Sequence, residues 1–198
     1  MEAATTLFLR NGYQGTSMDD IAAAAAVSKQ TVYKNFADKE RLFSEIVLGI
    51  TGNAERFVGV VAETLRETQD LEKDLRDLAR RYLASVLQPE VLQLRRLVIG
   101  EAGRFPDLAR SYYKRAPERV LAALADSLQG LAERGLLQLD DPALAAQHFA
   151  FLILSVPLDR AMFLRFEESF TAADLERFAD AAVRVFLAAY GPSHPAPH

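Results

Sequence analysis

Apolar residues recur along most of the chain at intervals of three and four, the spacing of one face of an α-helix. One such stripe lies within residues 71–86 and another within residues 120–131. No run of alternating β-branched and polar residues bounded by hairpin turns, which would indicate strands, is present in the sequence. The pattern therefore predicts an all-α fold of about nine helices in total.

Helix starts in the first 50 residues are marked by residues that commonly cap helices. Ser17 with an Asp three residues later resembles a capping box, Ser28 precedes a short helix that runs to about Asn35, and Asp38 opens a third helix. Two short helices joined by a turn of about three residues and followed at once by a third form a helix-turn-helix. In that arrangement the second helix enters the major groove of DNA.

The apolar positions of these helices indicate which side of the second helix faces outward. We expect the inward positions to be Ile21, Ala22, Ala25, Val27, Val32 and Phe36, with Val27 filling the angle between the helices. Hydrogen-bonding side chains then occupy the outward face, and these are Ser28, Lys29, Gln30, Thr31, Tyr33, Lys34 and Asn35.

The outward side chains suit the recognition of base pairs. Gln30 can bond an adenine edge with two hydrogen bonds, and Lys29 can reach guanine acceptors. Tyr33 and Lys39 are better placed for phosphates, which fix the register without reading the sequence. We therefore expect a change at Lys39 to weaken binding to every sequence and to reduce its salt dependence.

Charge is concentrated on the second helix of this pair. Residues 28–36 contain two lysines and no acid, whereas residues 1–50 contain five basic and six acidic residues, a net charge of −1. The whole chain has a net charge of −4 and a pI near 5.5, which argues against a protein that coats nucleic acid indiscriminately. Local DNA binding remains compatible with both numbers.

The segment from Ile21 to Phe43, IAAAAAVSKQTVYKNFADKERLF, resembles the signature of the TetR/AcrR family of transcriptional regulators. Matching positions are Thr31-Val32-Tyr33, Phe36 and Lys39-Glu40, and upstream Leu7-Phe8, Gly12-Tyr13 and Thr16-Ser17. The sequence departs from the pattern at Ala26 and Gln30, where glycine is usual or frequent, and at Lys34-Asn35, where an aromatic or histidine pair is more usual.

The resemblance implies a homodimeric repressor whose two reading helices bind the half-sites of a palindromic operator. It implies a helix-turn-helix domain over residues 1–48, with Thr16 and Ser17 also near DNA. An effector-binding and dimerisation domain would span residues 49–191, pairing through its last two helices in a four-helix bundle. Ligand binding would change the spacing of the two heads, which must meet groove faces roughly 34 Å apart, and so release DNA.

Candidate effector residues lie in the later helices. The stretch from Arg95 to Arg119 resembles a common regulatory-domain subtype of the family, and an apolar, aromatic-rich body favours a lipophilic effector. We expect His148 to be a hydrogen-bonded core or interface residue and not a ligand. The side chains that could line a cavity are Val98, Glu101, Phe105, Tyr112, Tyr113, Phe149 and Leu152.

Several other classes of protein find little support in the sequence. The absence of cysteine excludes disulfides and thiolate metal sites. The most apolar stretch, Ala143 to Val156, is shorter than the roughly 20 residues that a membrane span needs. We see no signal peptide, so a cytoplasmic protein is expected, and residues 192–198 with their prolines should form a flexible tail.

Two alternatives to a DNA-binding regulator can be named. An all-α small-molecule-binding or dimerisation protein without sequence-specific DNA binding is supported by the net negative charge of residues 1–50. An enzyme is disfavoured, because the sequence has no Gly-rich phosphate loop, no histidine pair at metal-ligand spacing and no nucleophile elbow. We accordingly expect no cofactor and no metal.

Overall fold

The computed structural model describes residues 1–164 and 170–192, and this part of the chain contains helices and no strand. The α-helices are α1 (Glu2–Asn11), α2 (Met18–Ala24), α3 (Lys29–Asn35), α4 (Lys39–Gly49), α5 (Gly52–Arg66), α6 (Leu71–Val86), α7 (Pro89–Glu101), α8 (Pro106–Tyr113), α9 (Arg119–Glu133), α10 (Pro142–Phe163) and α11 (Ala172–Tyr190). A π-helical turn, Lys114–Glu118, links α8 to α9.

The all-α prediction is confirmed. Nine helices are obtained if two pairs of adjacent segments are each counted as one: α4 with α5, which only Ile50 and Thr51 separate, and α8 with α9. The helix that Asp38 opens is therefore interrupted at Ile50 and Thr51. Of the predicted tail, residues 193–198 lie outside the described residues.

The first compact unit comprises residues Met1–Gly52 and Pro89–Arg115. Its core contains residues of α1, α2, α3 and α4 together with residues of α7 and α8. Phe8, Leu42 and Phe43 are fully buried in it. Because α7 packs on α1 and α8 on α4, the head formed by α1 to α4 shares its core with a helical pair from the middle of the chain.

The second compact unit comprises residues 53–88 and the described residues from 116 onwards. In this unit α10 packs on α9, α11 and α6, and α11 also packs on α6. Phe149 meets Phe186 edge to face with ring centroids 5.1 Å apart. The Arg134 guanidinium donates to the carbonyls of Leu65 and Arg66, which the end of α5 leaves without helical partners, and to that of Thr68 just after the helix.

Helix α10 extends on both sides of the most apolar stretch of the chain, Ala143 to Val156. It has 22 residues, and a window of 18 has a mean hydropathy of 1.2, so on length and composition alone it could cross a membrane. The apolar stretch from Ala143 to Val156 is itself shorter than a span, and the helix reaches 22 residues because it begins after the Asp141 cap and continues to Phe163. Such a helix is weak evidence for a membrane protein, since the core helix of a bundle passes the same test.

Candidate nucleic-acid interface

Helix α2 begins at a complete capping box. The backbone N–H of Asp20 donates to Ser17 Oγ at 3.1 Å, and the Asp20 carboxylate accepts from the backbone N–H and the hydroxyl of Ser17 at 3.1 and 2.6 Å. These two bonds favour the charged carboxylate and lower the pKa of Asp20. The predicted cap is thus confirmed with aspartate in place of the usual glutamate.

The turn between α2 and α3 is closed by a residue in the left-handed region. Ala26 has φ 52°, the conformation for which glycine is the usual choice, and the N–H of Val27 donates to Ala22 at 3.1 Å. Val27 is 42% exposed and Ala25 is also exposed, so the expectation that both point inward is wrong. The left-handed turn at Ala26 carries Val27 outward, while Ile21 and Ala22 fill the inner side of α2.

Helix α3 presents its polar side chains as predicted. Ser28 caps it by accepting from the N–H of Thr31 at 3.1 Å, and Val32 is its buried residue at 6% exposure. Four side chains of the helix, Lys29, Gln30, Tyr33 and Lys34, line an open concavity. Every member of the predicted outward set is exposed, namely Ser28, Lys29, Gln30, Thr31, Tyr33, Lys34 and Asn35.

Four of these outward side chains, Ser28, Lys29, Thr31 and Asn35, have partners within the head. Asn35 Nδ2 donates to the carbonyl of Thr31 at 2.8 Å, and the hydroxyls of Ser28 and Thr31 lie 2.8 Å apart. Lys29 Nζ forms an ion pair with the Asp19 carboxylate of α2. Hydrogen bonding to Asp19 is the main cause that raises the pKa of Lys29. Asp19 and Lys29 are ten residues apart and belong to different helices, so the spacing of apolar residues does not indicate that they meet.

The loop before α2 is anchored by two residues that the sequence placed near DNA. Thr16 is 2% exposed, and its hydroxyl lies 2.9 Å from the carbonyl oxygen of Gly12 and 3.2 Å from that of Leu7, to which it donates. Lys39 Nζ donates to the carbonyls of Tyr13 and Thr16 at 2.8 and 2.7 Å. Both side chains therefore hold the loop that leads into the capping box, while Ser17 is exposed.

Tyr13 is the centre of an aromatic cluster that the sequence did not reveal. Its ring lies 5.0 Å from the ring of Phe43 and 4.8 Å from that of Phe105, centroid to centroid, and the Arg104 guanidinium carbon lies 4.9 Å from its centroid. Burial is the main cause that raises the pKa of Tyr13. The cluster joins the α1–α2 loop to the turn between α7 and α8, a contact between residues about 90 positions apart.

The candidate effector residues are divided between the two units. Val98, Phe105 and Tyr112 belong to the core of the first unit or pack against it, whereas Tyr113 of the same unit is 54% exposed. Neither unit contains the whole set, because Glu101 also lies in the first unit and Phe149 and Leu152 lie in the second.

His148 of the second unit is hydrogen bonded as expected, but it is exposed and so is not a core residue. Its Nδ1 lies 2.5 Å from the hydroxyl of Tyr190 at the end of α11, and the two rings are 6.0 Å apart. The carbonyl of Tyr190 in turn accepts from the backbone N–H of Gln138 at 2.9 Å. These contacts link the loop before α10 to the last helix.

Comparison with known proteins accounts for this arrangement. Residues 1–46 match the family described as bacterial regulatory proteins of the TetR family, and residues 73–192 match the family described as AefR-like transcriptional repressor, C-terminal domain. Both matches together cover the helix-turn-helix and most of the later helices.

Individual proteins agree with the family matches. A protein of Mesorhizobium loti MAFF303099 whose solved structure is assigned to the TetR family is 45% identical over 96% of this chain and 94% of its own, with a TM-score of 0.89. The flavonoid-responsive regulator FrrA is 32% identical, with coverage of 98% and 95% and a TM-score of 0.70. The HTH-type transcriptional regulator YvkB of Bacillus subtilis strain 168 is 26% identical over 81% of this chain and 80% of its own.

The head geometry, the two family matches and these relatives all indicate a regulator that binds DNA and is not an enzyme. The chain therefore belongs to the TetR family of bacterial transcriptional regulators.

Proposed function

We propose that this TetR-family regulator is a repressor that binds a palindromic operator as a homodimer and is released by a small lipophilic effector. The observation that carries the proposal is the division of α3 into a single buried residue, Val32, and a face of exposed donors and acceptors. A face of this kind is suited to base edges in the major groove, where an α-helix fits. Residues 1–48 provide this head, and the protein acts in the cytoplasm, where bacterial DNA lies.

The reading face consists of the side chains of α3 and its cap. Lys29 and Gln30 read base edges, and Tyr33 and Lys34 contact phosphates or bases at the edge of the groove. Ser17, at the exposed start of α2, contacts the backbone of DNA. Thr16 and Lys39 support this surface from the loop that their hydrogen bonds fix.

Dimerisation through the last two helices is supported by the surface of the second unit. Residues 49–191 would provide dimerisation and effector binding. Several large apolar side chains of α10 and α11 are exposed, among them Phe163 at 82%, Phe151 at 67% and Val185 at 54%. Apolar side chains gathered on adjacent helices are typical of a surface that a partner covers. A second copy of the chain would bury them and set the distance between two reading helices.

A lipophilic effector is supported by the interior of the second unit. Thr68 is the one polar residue that is buried among the described residues of that unit, so an invading ligand meets mostly apolar side chains. The neighbour FrrA is named as flavonoid-responsive, and flavonoids are flat aromatic molecules of this character. Of the candidate effector residues, Phe149 and Leu152 belong to this unit, and we propose that they contact the effector.

The test is selection of duplexes from a randomised DNA pool by the purified protein, followed by a salt titration on the selected duplex. We expect a palindrome whose half-site centres are about 10 base pairs apart and an affinity that falls steeply as salt rises. Recovery of no motif by a folded dimer would contradict the proposal. Release of the selected duplex by a flavonoid or fatty acyl compound, and not by a sugar, would support the lipophilic effector.

A further inference from the structure

Two charged side chains connect the beginnings of the two helix-turn-helix helices. Lys29 Nζ lies 2.8 Å from Oδ1 and 3.0 Å from Oδ2 of Asp19. Asp19 is the second residue of α2 and Lys29 is the first residue of α3. Both side chains face solvent, at 59% exposure for Lys29 and 64% for Asp19. The acidic residue thus lies on the same surface that we propose faces DNA.

We propose that Asp19 is a specificity-determining residue that orients Lys29 toward base edges and withholds it from phosphates. The inference rests on the proposed reading face of α3, because it assigns a role to a residue beside that face. A lysine ammonium has three N–H donors on a flexible stem. The two contacts with the Asp19 carboxylate fix its position and leave a donor for a further acceptor.

The ion pair changes how much binding free energy Lys29 gains from a phosphate and how much it gains from a base edge. An unrestrained lysine on random DNA turns to the nearest phosphate, which adds affinity without sequence information. When Lys29 is neutralised by Asp19, that gain is largely lost, and phosphates repel the carboxylate. A guanine presents two acceptors to the groove and can bond the remaining donor without separating the pair. The ion pair therefore lowers the affinity for random DNA more than it lowers the affinity for a site with a guanine at the matching position.

The fold does not depend on Asp19. Asp20, and not Asp19, completes the capping box of α2. An ion pair exposed to this extent contributes little to stability, because water and salt screen it. Replacing Asp19 by asparagine should therefore leave the head folded, so that changes in DNA binding report on the charge and position of Lys29.

The experiment compares the intact protein with its Asp19→Asn variant on two duplexes, the selected operator and a shuffled duplex of the same composition. For the variant we expect the affinity for the shuffled duplex to rise about 3- to 10-fold. Its dependence on log salt should steepen by up to about 0.9 for each protomer, because Lys29 becomes free to contact one phosphate. The affinity for the operator should change less, so the ratio of the two affinities should fall.

A matched control removes a carboxylate from another exposed ion pair in the same unit. Glu45 accepts from Arg41 at 2.9 Å on α4, so Glu45→Gln alters the charge of the head by the same amount. We expect this variant to leave the ratio of operator to shuffled affinity close to that of the unaltered protein. An equal fall of the ratio in both variants would overturn the inference, since net charge alone would explain it.

The role of Lys29 is isolated by adding Lys29→Met to each protein. In this background Asp19→Asn should no longer raise the affinity for the shuffled duplex, because the side chain that Asp19 restrains is gone. A rise that persists without Lys29 would overturn the inference in favour of simple repulsion. If the unaltered protein itself does not discriminate between the duplexes, the proposed function fails as well; if it does and Asp19→Asn keeps the ratio, only this inference fails.

Discussion

The ammonium nitrogen of Lys39 lies 4.2 Å from the centroid of the Tyr13 ring and donates to the carbonyl of Tyr13 at 2.8 Å and that of Thr16 at 2.7 Å. The first helical residue of α4 thereby holds the loop that precedes α2. From the sequence we expect the Lys39 ammonium to contact a DNA phosphate, but in the structure it binds these two carbonyls. These contacts suggest that Lys39 supports DNA binding by fixing the loop.

Replacing Lys39 by methionine should separate these two roles. We expect the free energy of unfolding to fall by about 1–3 kcal/mol, because the carbonyls of Tyr13 and Thr16 lose charged donors. Operator affinity should fall while the slope of log affinity against log salt stays unchanged. A lost phosphate contact would instead reduce the slope by about 0.9 for each contact. Lys34→Met, which removes the same charge from the exposed face of α3, is the control and should reduce the slope.

The left-handed alanine in the turn gives a second prediction. Ala26 has φ 52°, which costs an L-residue with a Cβ about 1–2 kcal/mol relative to the right-handed region. Ala26→Gly should therefore raise the free energy of unfolding by about 0.5–1 kcal/mol, after the greater flexibility of unfolded glycine is subtracted. Urea unfolding measures the change. The neighbouring Ala25 has φ −82°, so Ala25→Gly should instead lower stability, and stabilisation by both substitutions would contradict the strain.

Local hydrogen bonding made the helix starts predictable. A cap acts through side chains at most three residues away, so Ser17, Ser28 and Asp38 could be identified from the sequence before any tertiary contact was known. The exposed face of α3 followed from the same local reasoning. The left-handed turn could be suspected from Ala26, which stands where the family pattern usually has glycine, but the outward direction of Val27 could not.

Contacts between distant residues could not be predicted in this way. The Tyr13–Phe105 contact joins residues that are far apart along the chain, and no spacing rule relates them. The pair of Asp19 and Lys29 depends on the angle between α2 and α3, which the turn geometry sets. Lys39 matched the family motif, yet the motif does not specify which acceptor its ammonium meets. Such contacts are decided by packing, and single-sequence patterns describe only one face of one helix.

The close approach of Gly15 to the backbone of Asn11 gives a third prediction. A Cβ on this residue would lie 2.4 Å from the carbonyl oxygen of Asn11, a backbone atom that cannot turn away. Gly15→Ala should lower the free energy of unfolding by about 1–3 kcal/mol, and operator binding should weaken with it. Thermal unfolding measures the loss. Gly100→Ala on α7, where a Cβ meets no atom within 4 Å, is the control and should be neutral or stabilising.

The capping box of α2 should make stability depend on pH in acid. Bonds from Ser17 lower the pKa of Asp20 in the folded protein below its ordinary value of 3.8. A group whose folded pKa is lowered stabilises the fold above its unfolded pKa, and that contribution is lost as pH falls through the folded pKa. Asp20→Asn should therefore destabilise the protein at pH 7 and less so at pH 3, which is below the ordinary pKa.

Urea unfolding at both pH values is the measurement. Asp19→Asn serves as the control, because Asp19 lies beside the same helix start but does not take part in the box. At pH 7 it should destabilise the protein less than Asp20→Asn does, because it removes a charge but no hydrogen bond of the box. A difference for Asp20→Asn that is the same at pH 3 as at pH 7 would show that the bonds to Ser17 do not depend on the charge.

The exposed apolar side chains of α10 give the last prediction, which concerns the proposed dimer. Phe151 is 67% exposed in the middle of that helix, and a charge placed there would be buried without a partner if a second copy covered it. Phe151→Glu should therefore yield monomers in sedimentation velocity, retain its helical content and lose most of its operator affinity, because one head contacts one half-site. Ile99→Glu on α7 is the control, since Ile99 is 61% exposed but belongs to the other compact unit. A dimer that survives Phe151→Glu unchanged would place the subunit interface elsewhere, and the spacing of the two reading helices would then need a different origin.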